Sequence, residues 1–133
     1  MKTKTISKLK KELDKIFSIY IRTRYADDNG MVECWTCSVK KHYKEMHAGH
    51  FMSRKHLPTR FHEDNVQVQC PKCNLFGQGE QYAFGKLLDI RIKEGLAEHL
   101  QTLSKARIKF TRSDYLEMIE EYKEKLELLK NNC

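Results

Sequence analysis

Two Cys-x-x-Cys pairs, Cys34-Trp-Thr-Cys37 and Cys70-Pro-Lys-Cys73, frame the middle of this chain. Each pair can wrap two thiolates around one side of a tetrahedral ion, so two pairs in one short segment are a strong zinc signal. Four thiolates leave no coordination position open. The expected site is therefore structural, one Zn²⁺ that pins the intervening residues and contributes much of their folding free energy. Two disulfides are the alternative. They are disfavoured because the Lys-rich start of the chain lacks the apolar core of a secretion signal, which points to the reducing cytoplasm. Cys133 is left over and is expected to be an exposed, functionally incidental thiol.

A length of 133 residues, 40% hydrophobic and 32% charged, predicts one globular domain with a modest core. No apolar run approaches the ~20 residues that cross a bilayer, so no membrane partner is expected. The net charge of +7 is uneven. Residues 1–60 carry 14 Lys/Arg against 6 Asp/Glu, whereas residues 61–133 carry 11 against 12. A basic half on a small protein fits either a polyanionic partner, nucleic acid above all, or a solvated lysine-rich helix.

The periodicity divides the chain into a basic amphipathic helix (5–27), a four-cysteine core (31–94) and C-terminal helices (95–133). In the first helix Ile6, Leu9, Leu13, Ile16, Phe17 and Tyr20 form one apolar stripe, with Lys8, Lys11, Lys15 and Arg22 largely off it. Such a basic face is suited to tracking phosphates without reading sequence. Asp28-Asn29-Gly30 ends the helix as a turn. Met31–Glu33 reads as an extended piece and Lys40, Lys41 and Lys44 as a basic loop, with His42 an exposed loop histidine. Trp35 is expected to pack over the zinc site.

Residues 45–52 predict a strand carrying His47 and His50. A regular strand sends these two side chains to opposite faces, and a bulge at Gly49 would change that. Residues 53–61 predict a loop, and Val66–Gln69 alternates as a second strand. Helices are expected from about Gln78 to Glu94, around Leu96–Ser104, and after the Thr111-Arg-Ser-Asp114 capping pattern. The last helix carries an apolar stripe through Tyr115, Met118, Ile119, Tyr122, Leu126 and Leu129, which predicts core or a dimer seam.

The arrangement Cys-x-x-Cys, Ala48-Gly-His-Phe51, Arg60-Phe61, then Asn65-x-x-x-x-Cys-x-x-Cys-Asn74 closely resembles the NinG (Rap) recombination proteins of lambdoid phages, a branch of the HNH (ββα-metal) endonucleases. Tyr82, Arg91-Ile92, Thr111 and Glu121-Tyr122-x-x-Lys125-Leu126 extend the likeness over most of the chain. The cysteine frame followed by Asn is also similar to endonuclease VII-type junction resolvases.

The resemblance implies an α+β fold, a zinc-stapled HNH core flanked by helices, in a phage or prophage protein of the host cytoplasm. It implies that His50 activates the attacking water and that Asn65 fixes the loop that orients His50. Asn74 is then a ligand of a second, catalytic divalent ion (Mg²⁺, Mn²⁺ or a softer metal). His47 sits where such sequences can carry an aspartate; imidazole can still bind a divalent ion but brings no negative charge.

Blander readings stand beside these. His50 fits a buried hydrogen-bonded histidine, Asn74 a helix N-cap, and His47 an ordinary strand residue. Arg54, Lys55 and Arg60, with Lys40 and Lys41, are the expected DNA contacts. His56 and His62 lie in the same substrate-facing loop.

The function expected is structure-selective cleavage of branched DNA, such as Holliday junctions or D-loops. Two cuts per junction make a homodimer the natural assembly, with the stripes of the first and last helices as its faces. Two other classes compete: a non-catalytic zinc module that binds DNA or a recombination partner, and an HNH nuclease for ordinary duplex.

Overall fold

Thr5 caps the first helix, its hydroxyl accepting from the Lys8 N–H at 3.1 Å. The computed structural model describes residues 3–131, so Cys133 lies outside the described residues. Helix α1 spans Ile6–Thr23, and Leu9, Leu13, Phe17 and Ile21 recur every four residues as its buried line. That line packs on Tyr115, Ile119 and Tyr122 of helix α5 (Arg112–Asn131) and on Val66. Phe17 meets Tyr122 edge to face, with centroids 5.0 Å apart. The Thr111 cap is present and reciprocal: Thr111 Oγ1 accepts from the Asp114 N–H at 3.1 Å, and Asp114 Oδ2 from the Thr111 N–H at 2.8 Å. The central parts of the two stripes are thus core, packed against each other, while Ile6 of the first remains exposed.

After α1 the Asp27 carboxylate accepts from the Asn29 and Met31 N–H groups, both at 2.9 Å, and Gly30 takes a left-handed φ of 79°. Strand β1 (Met31–Glu33) follows and pairs antiparallel with β2 (Lys40–His42). The expected basic loop is therefore a strand. Its Lys-Lys-His sequence carries no alternation to reveal it, because backbone pairing and the Cys34–Cys37 turn make the hairpin. His42 is likewise not an exposed loop histidine. Its half-buried ring lies against Gly30, and its Nδ1 accepts from the Lys44 N–H at 3.1 Å.

A second antiparallel pair joins β3 (His47–His50) to β4 (Val66–Gln69). Between them lies a short helix, α2 (Leu57–Arg60), within the predicted loop. All four residues of β4 are buried. Its glutamine face, polar in sequence, packs inward, with Gln67 held by Arg24 and Gln69 by Thr36 and Gly79. A π-helical turn, Lys72–Phe76, follows the last cysteines; helices α3 (Gln81–Arg91) and α4 (Leu96–Ser104) then bury Phe84, Leu88, Leu96 and Leu100 together. Trp35 packs with this group, its indole N–H reaching the Phe84 carbonyl at 3.5 Å, rather than over the cysteines. The result is a mixed α+β architecture of two small sheets among helices, and none of its helices is long and apolar enough to cross a membrane.

The β3–β4 ladder runs in unbroken register from His47↔Gln69 to His50↔Val66, so no bulge forms at Gly49. Gly49 serves close approach instead. A Cβ there would lie 1.9 Å from Gln69 Oε1. Gln69 is fully buried and donates to Thr36 Oγ1 at 3.1 Å and to the Gly79 carbonyl at 2.9 Å, so it cannot retreat without losing both bonds. Gly49→Ala is expected to destabilise the protein by about 1–3 kcal/mol, seen as a lower urea midpoint at unchanged slope.

Candidate metal centre and adjoining histidine cleft

The hairpin turn after β1 and the end of β4 bring Cys34, Cys37, Cys70 and Cys73 together, all four sulfurs within 4.8 Å of one another. Cys37 Sγ and Cys70 Sγ are 3.6 Å apart, far beyond a disulfide bond, and all four are free thiols. A zinc tetrahedron with ~2.3 Å Zn–S bonds has edges of about 3.8 Å, so the spacing fits an ion such as zinc.

The donor chemistry agrees. Burial opposes ionisation of Cys34, yet the Cys70 N–H, the Thr36 hydroxyl and the Cys37 and Thr36 N–H groups outweigh it and bring its thiol down to about 6. Burial, with the neighbouring Cys37 and Cys34, pushes Cys73 up to about 12. The Cys34 thiolate forms readily; Cys37, also pushed up by burial, and Cys73 need a cation to favour their thiolates.

β3 carries two histidines beside this frame, each with its own partner. His47 Nδ1 lies 3.0 Å from Asn74 Nδ2, in the π-helical turn. Asn74 caps no helix, since α3 begins only at Gln81. His47 and Asn74 place an imidazole and an amide side by side. Among the described residues, no cluster of three or more His, Cys, Asp or Glu joins them or occurs anywhere except at the four cysteines.

His50 borders the same cleft as His47 but has a different partner. Its Nε2 is 3.0 Å from the Arg60 carbonyl, which can only accept, so Nε2 carries the proton and Nδ1 is the basic nitrogen. Burial pushes the His50 imidazole down to about 4, with the Arg54 charge in the same direction and the Arg60 carbonyl opposing. It is neutral at pH 7. Because the folded value lies below the ordinary 6.5, the unfolded chain binds the proton more tightly. Stability from this site is present above about 6.5 and is lost as pH falls through about 4. Imidazole NMR is expected to show the Nε2–H tautomer titrating near 4; a midpoint near 6.5 would contradict the buried, hydrogen-bonded geometry.

Asn65 is completely buried and clamps the loop on which His50 depends. Its Nδ2 donates to the Met52 and Thr59 carbonyls, both at 3.0 Å, and its Oδ1 accepts from the Met52 N–H at 2.8 Å. Thr59 precedes Arg60, so the amide of Asn65 and the ring of His50 hold consecutive carbonyls. Asp14 on α1 completes the clamp from outside, accepting from Arg60 Nε at 3.0 Å and from Arg54 at 3.0 Å. One of two acids, with Glu12, among Lys8, Lys10, Lys11 and Lys15, Asp14 reads as a solvated residue in sequence.

The expected DNA contacts separate. Arg54 and Lys55 are exposed on the loop, whereas the Arg60 side chain is only 13% exposed and committed to Asp14. Lys40, ion-paired with Asp27 at 3.5 Å, and Lys41 sit on the β1–β2 hairpin. His62 Nδ1 accepts from the Asp64 N–H at 3.2 Å and shapes the turn before Asn65; His56 is half-buried at the start of α2. A cleft of about 420 Å³ opens beside His50, bordered by α1, β3 and Arg54.

A family model described as "Bacteriophage Lambda NinG protein" matches residues 1–132. No curated protein and no solved structure matches the chain.

Proposed function

The chain belongs to the bacteriophage Lambda NinG family, and from that membership and the surroundings of His50 we propose a metal-dependent, structure-selective DNA endonuclease of phage or prophage recombination with an HNH-type core. The single observation that carries the reading is His50: a neutral imidazole, proton fixed on Nε2 by the Arg60 carbonyl, bordering a basic cleft. Hydrolysing a phosphodiester needs a base that is unprotonated at neutral pH and held in one tautomer. His50 Nδ1 takes a proton from water as the water oxygen bonds to phosphorus and the bond to the leaving sugar oxygen breaks. Asn65 acts as a positioning residue, holding Met52 and Thr59 so that the Arg60 carbonyl stays on His50.

His47 and Asn74 would hold the catalytic divalent ion, which when bound supplies positive charge to the phosphate and the leaving oxygen. With imidazole and amide as the protein donors and no carboxylate, Mn²⁺ or a softer ion suits the pair better than Mg²⁺. The same lack of a carboxylate favours the second reading, a zinc-stabilised DNA-binding module without activity. Branched DNA is the substrate in this proposal, in keeping with the resemblance of the sequence to recombination proteins. Arg54 and Lys55, beside the cleft, are the loop's phosphate contacts in this proposal.

The test is cleavage of linear, nicked, D-loop and four-way DNA by the zinc-loaded protein, with Mg²⁺ and Mn²⁺ compared. Cutting confined to branched DNA supports the proposal. Equal cutting of linear and branched DNA replaces it with a general HNH nuclease, and binding without cutting leaves the module.

A further inference from the structure

Helix α1 does more than cover the core. Lys11, Lys15 and Arg22 recur at i, i+4 and i+11 along one line of α1, and all three border the same cleft as His50 and Arg54. At 1.5 Å per residue that line is ~16 Å long, roughly five nucleotide steps at ~3.4 Å of rise per strand. Lys11 and Lys15 are exposed, and among the described residues no acidic side chain lies within ion-pair distance of either. Arg22 is partly engaged, donating to the Tyr43 carbonyl at 3.1 Å. The carboxylate in the cleft, Asp14, is already taken up by Arg60 and Arg54, so it does not cancel the lysines. Phe17, Met46 and Ala48 give the cleft an apolar floor, and low-dielectric walls focus the field of the cations above them.

We infer that the cleft between α1 and β3 is the channel for a DNA strand, with Lys11 and Lys15 gripping its phosphates from the α1 wall. This rests on the nuclease reading for its choice of polyanion, and it adds Lys11 and Lys15 of α1 to the loop contacts while leaving the hairpin lysines Lys40 and Lys41 outside the channel. A strand lying there brings a phosphodiester to the side of the fold that carries His50, whereas one bound along Lys40 and Lys41 lies on the hairpin, away from the cleft. The lysines act as sequence-independent clamps, and their contribution is salt-dependent.

The experiment measures the affinity of zinc-loaded protein for a labelled four-way DNA junction across a salt series, without added Mg²⁺ or Mn²⁺. Lys11→Gln/Lys15→Gln is compared with wild type and with Lys40→Gln/Lys41→Gln; Lys15→Gln/Arg54→Gln tests the same cleft from both walls. Both cleft pairs are expected to bind at least tenfold more weakly, with the salt slope reduced by about 1.8 for two lost phosphate contacts, while the hairpin pair binds like wild type. Wild-type affinity and slope in both cleft pairs, or a loss confined to the hairpin pair, overturns the inference. Cleavage by wild type is read separately. A protein that never cuts but loses its salt slope in the cleft variants keeps the channel and loses the nuclease reading. A protein that cuts normally in the cleft variants, with binding intact, keeps the nuclease reading and loses the channel.

Discussion

Stripping zinc from the loaded four-cysteine site with a competing chelator is expected to lower the melting temperature by more than about 10 °C. The reason lies in how little else holds this region. The buried cluster around the site consists of Val32, Cys34, Met46, Val68, Cys70 and Cys73, so half of it is the ligand set itself. β1 and β2 are three residues each and pair only with one another, too small a unit to stand alone. Structural zinc contributes ~10–16 kcal/mol in zinc-finger peptides, and even a third of that exceeds a 10 °C shift in a chain of this size.

The loss should begin locally. Trp35, the single tryptophan, stands between two ligands and reports it by fluorescence, whereas α1 and α5 bury their own core and should retain much of their helical signal. Zinc affinity should weaken as pH falls, because Cys37, Cys70 and Cys73 must lose protons with Cys34 to bind the ion. Equal melting temperatures for loaded and stripped protein would contradict the staple.

The second large effect is expected at Asn65→Ala. The wild-type amide satisfies the Met52 N–H, the Met52 carbonyl and the Thr59 carbonyl from a fully buried position. Alanine leaves these groups without partners, and each unsatisfied buried group costs about 1–3 kcal/mol. Even with partial relaxation the total should exceed about 3 kcal/mol, lowering the urea midpoint by more than about 1 M. A structural asparagine anywhere would do this much. The added expectation concerns His50: once the loop loosens, its ring loses the enclosure that holds it at about 4, an effect larger than the opposing loss of the Arg60 carbonyl, and its titration moves toward 6.5. A change under about 0.5 kcal/mol, with the His50 titration unmoved, would show that Asn65 does not hold the loop.

Much of this arrangement is legible in the sequence because it is local. Spacing alone brings Cys34 to Cys37 and Cys70 to Cys73; the three- and four-residue steps of Ile6, Leu9, Leu13, Ile16, Phe17 and Tyr20 declare α1, although the buried line runs on to Ile21; Thr111 and Asp114 declare the start of α5. What escapes is set by contacts between distant residues. β2 carries Lys-Lys-His and is a strand only because β1 pairs with it. The π-helical turn at Lys72–Phe76 follows from the Cys70–Cys73 loop and has no periodicity of its own. Gln67 and Gln69 read as a solvated face, yet they are buried because Arg24, Thr36 and Gly79 supply their partners. Arg60 reads as a phosphate contact until Asp14, 46 residues away, is seen to hold it. His47 and His50, three apart in sequence on a regular ladder, take different partners, Asn74 and the Arg60 carbonyl, yet both border the cleft along α1.

The most direct measurement is single-turnover cleavage of a four-way DNA junction in Mn²⁺, wild type against His50→Ala, with binding measured on the same samples. The histidine-base account predicts a rate loss of roughly 10²–10⁴-fold with unchanged affinity. A His50→Ala protein that cuts at the wild-type rate, or a wild-type protein that binds the junction and cuts nothing, would contradict it.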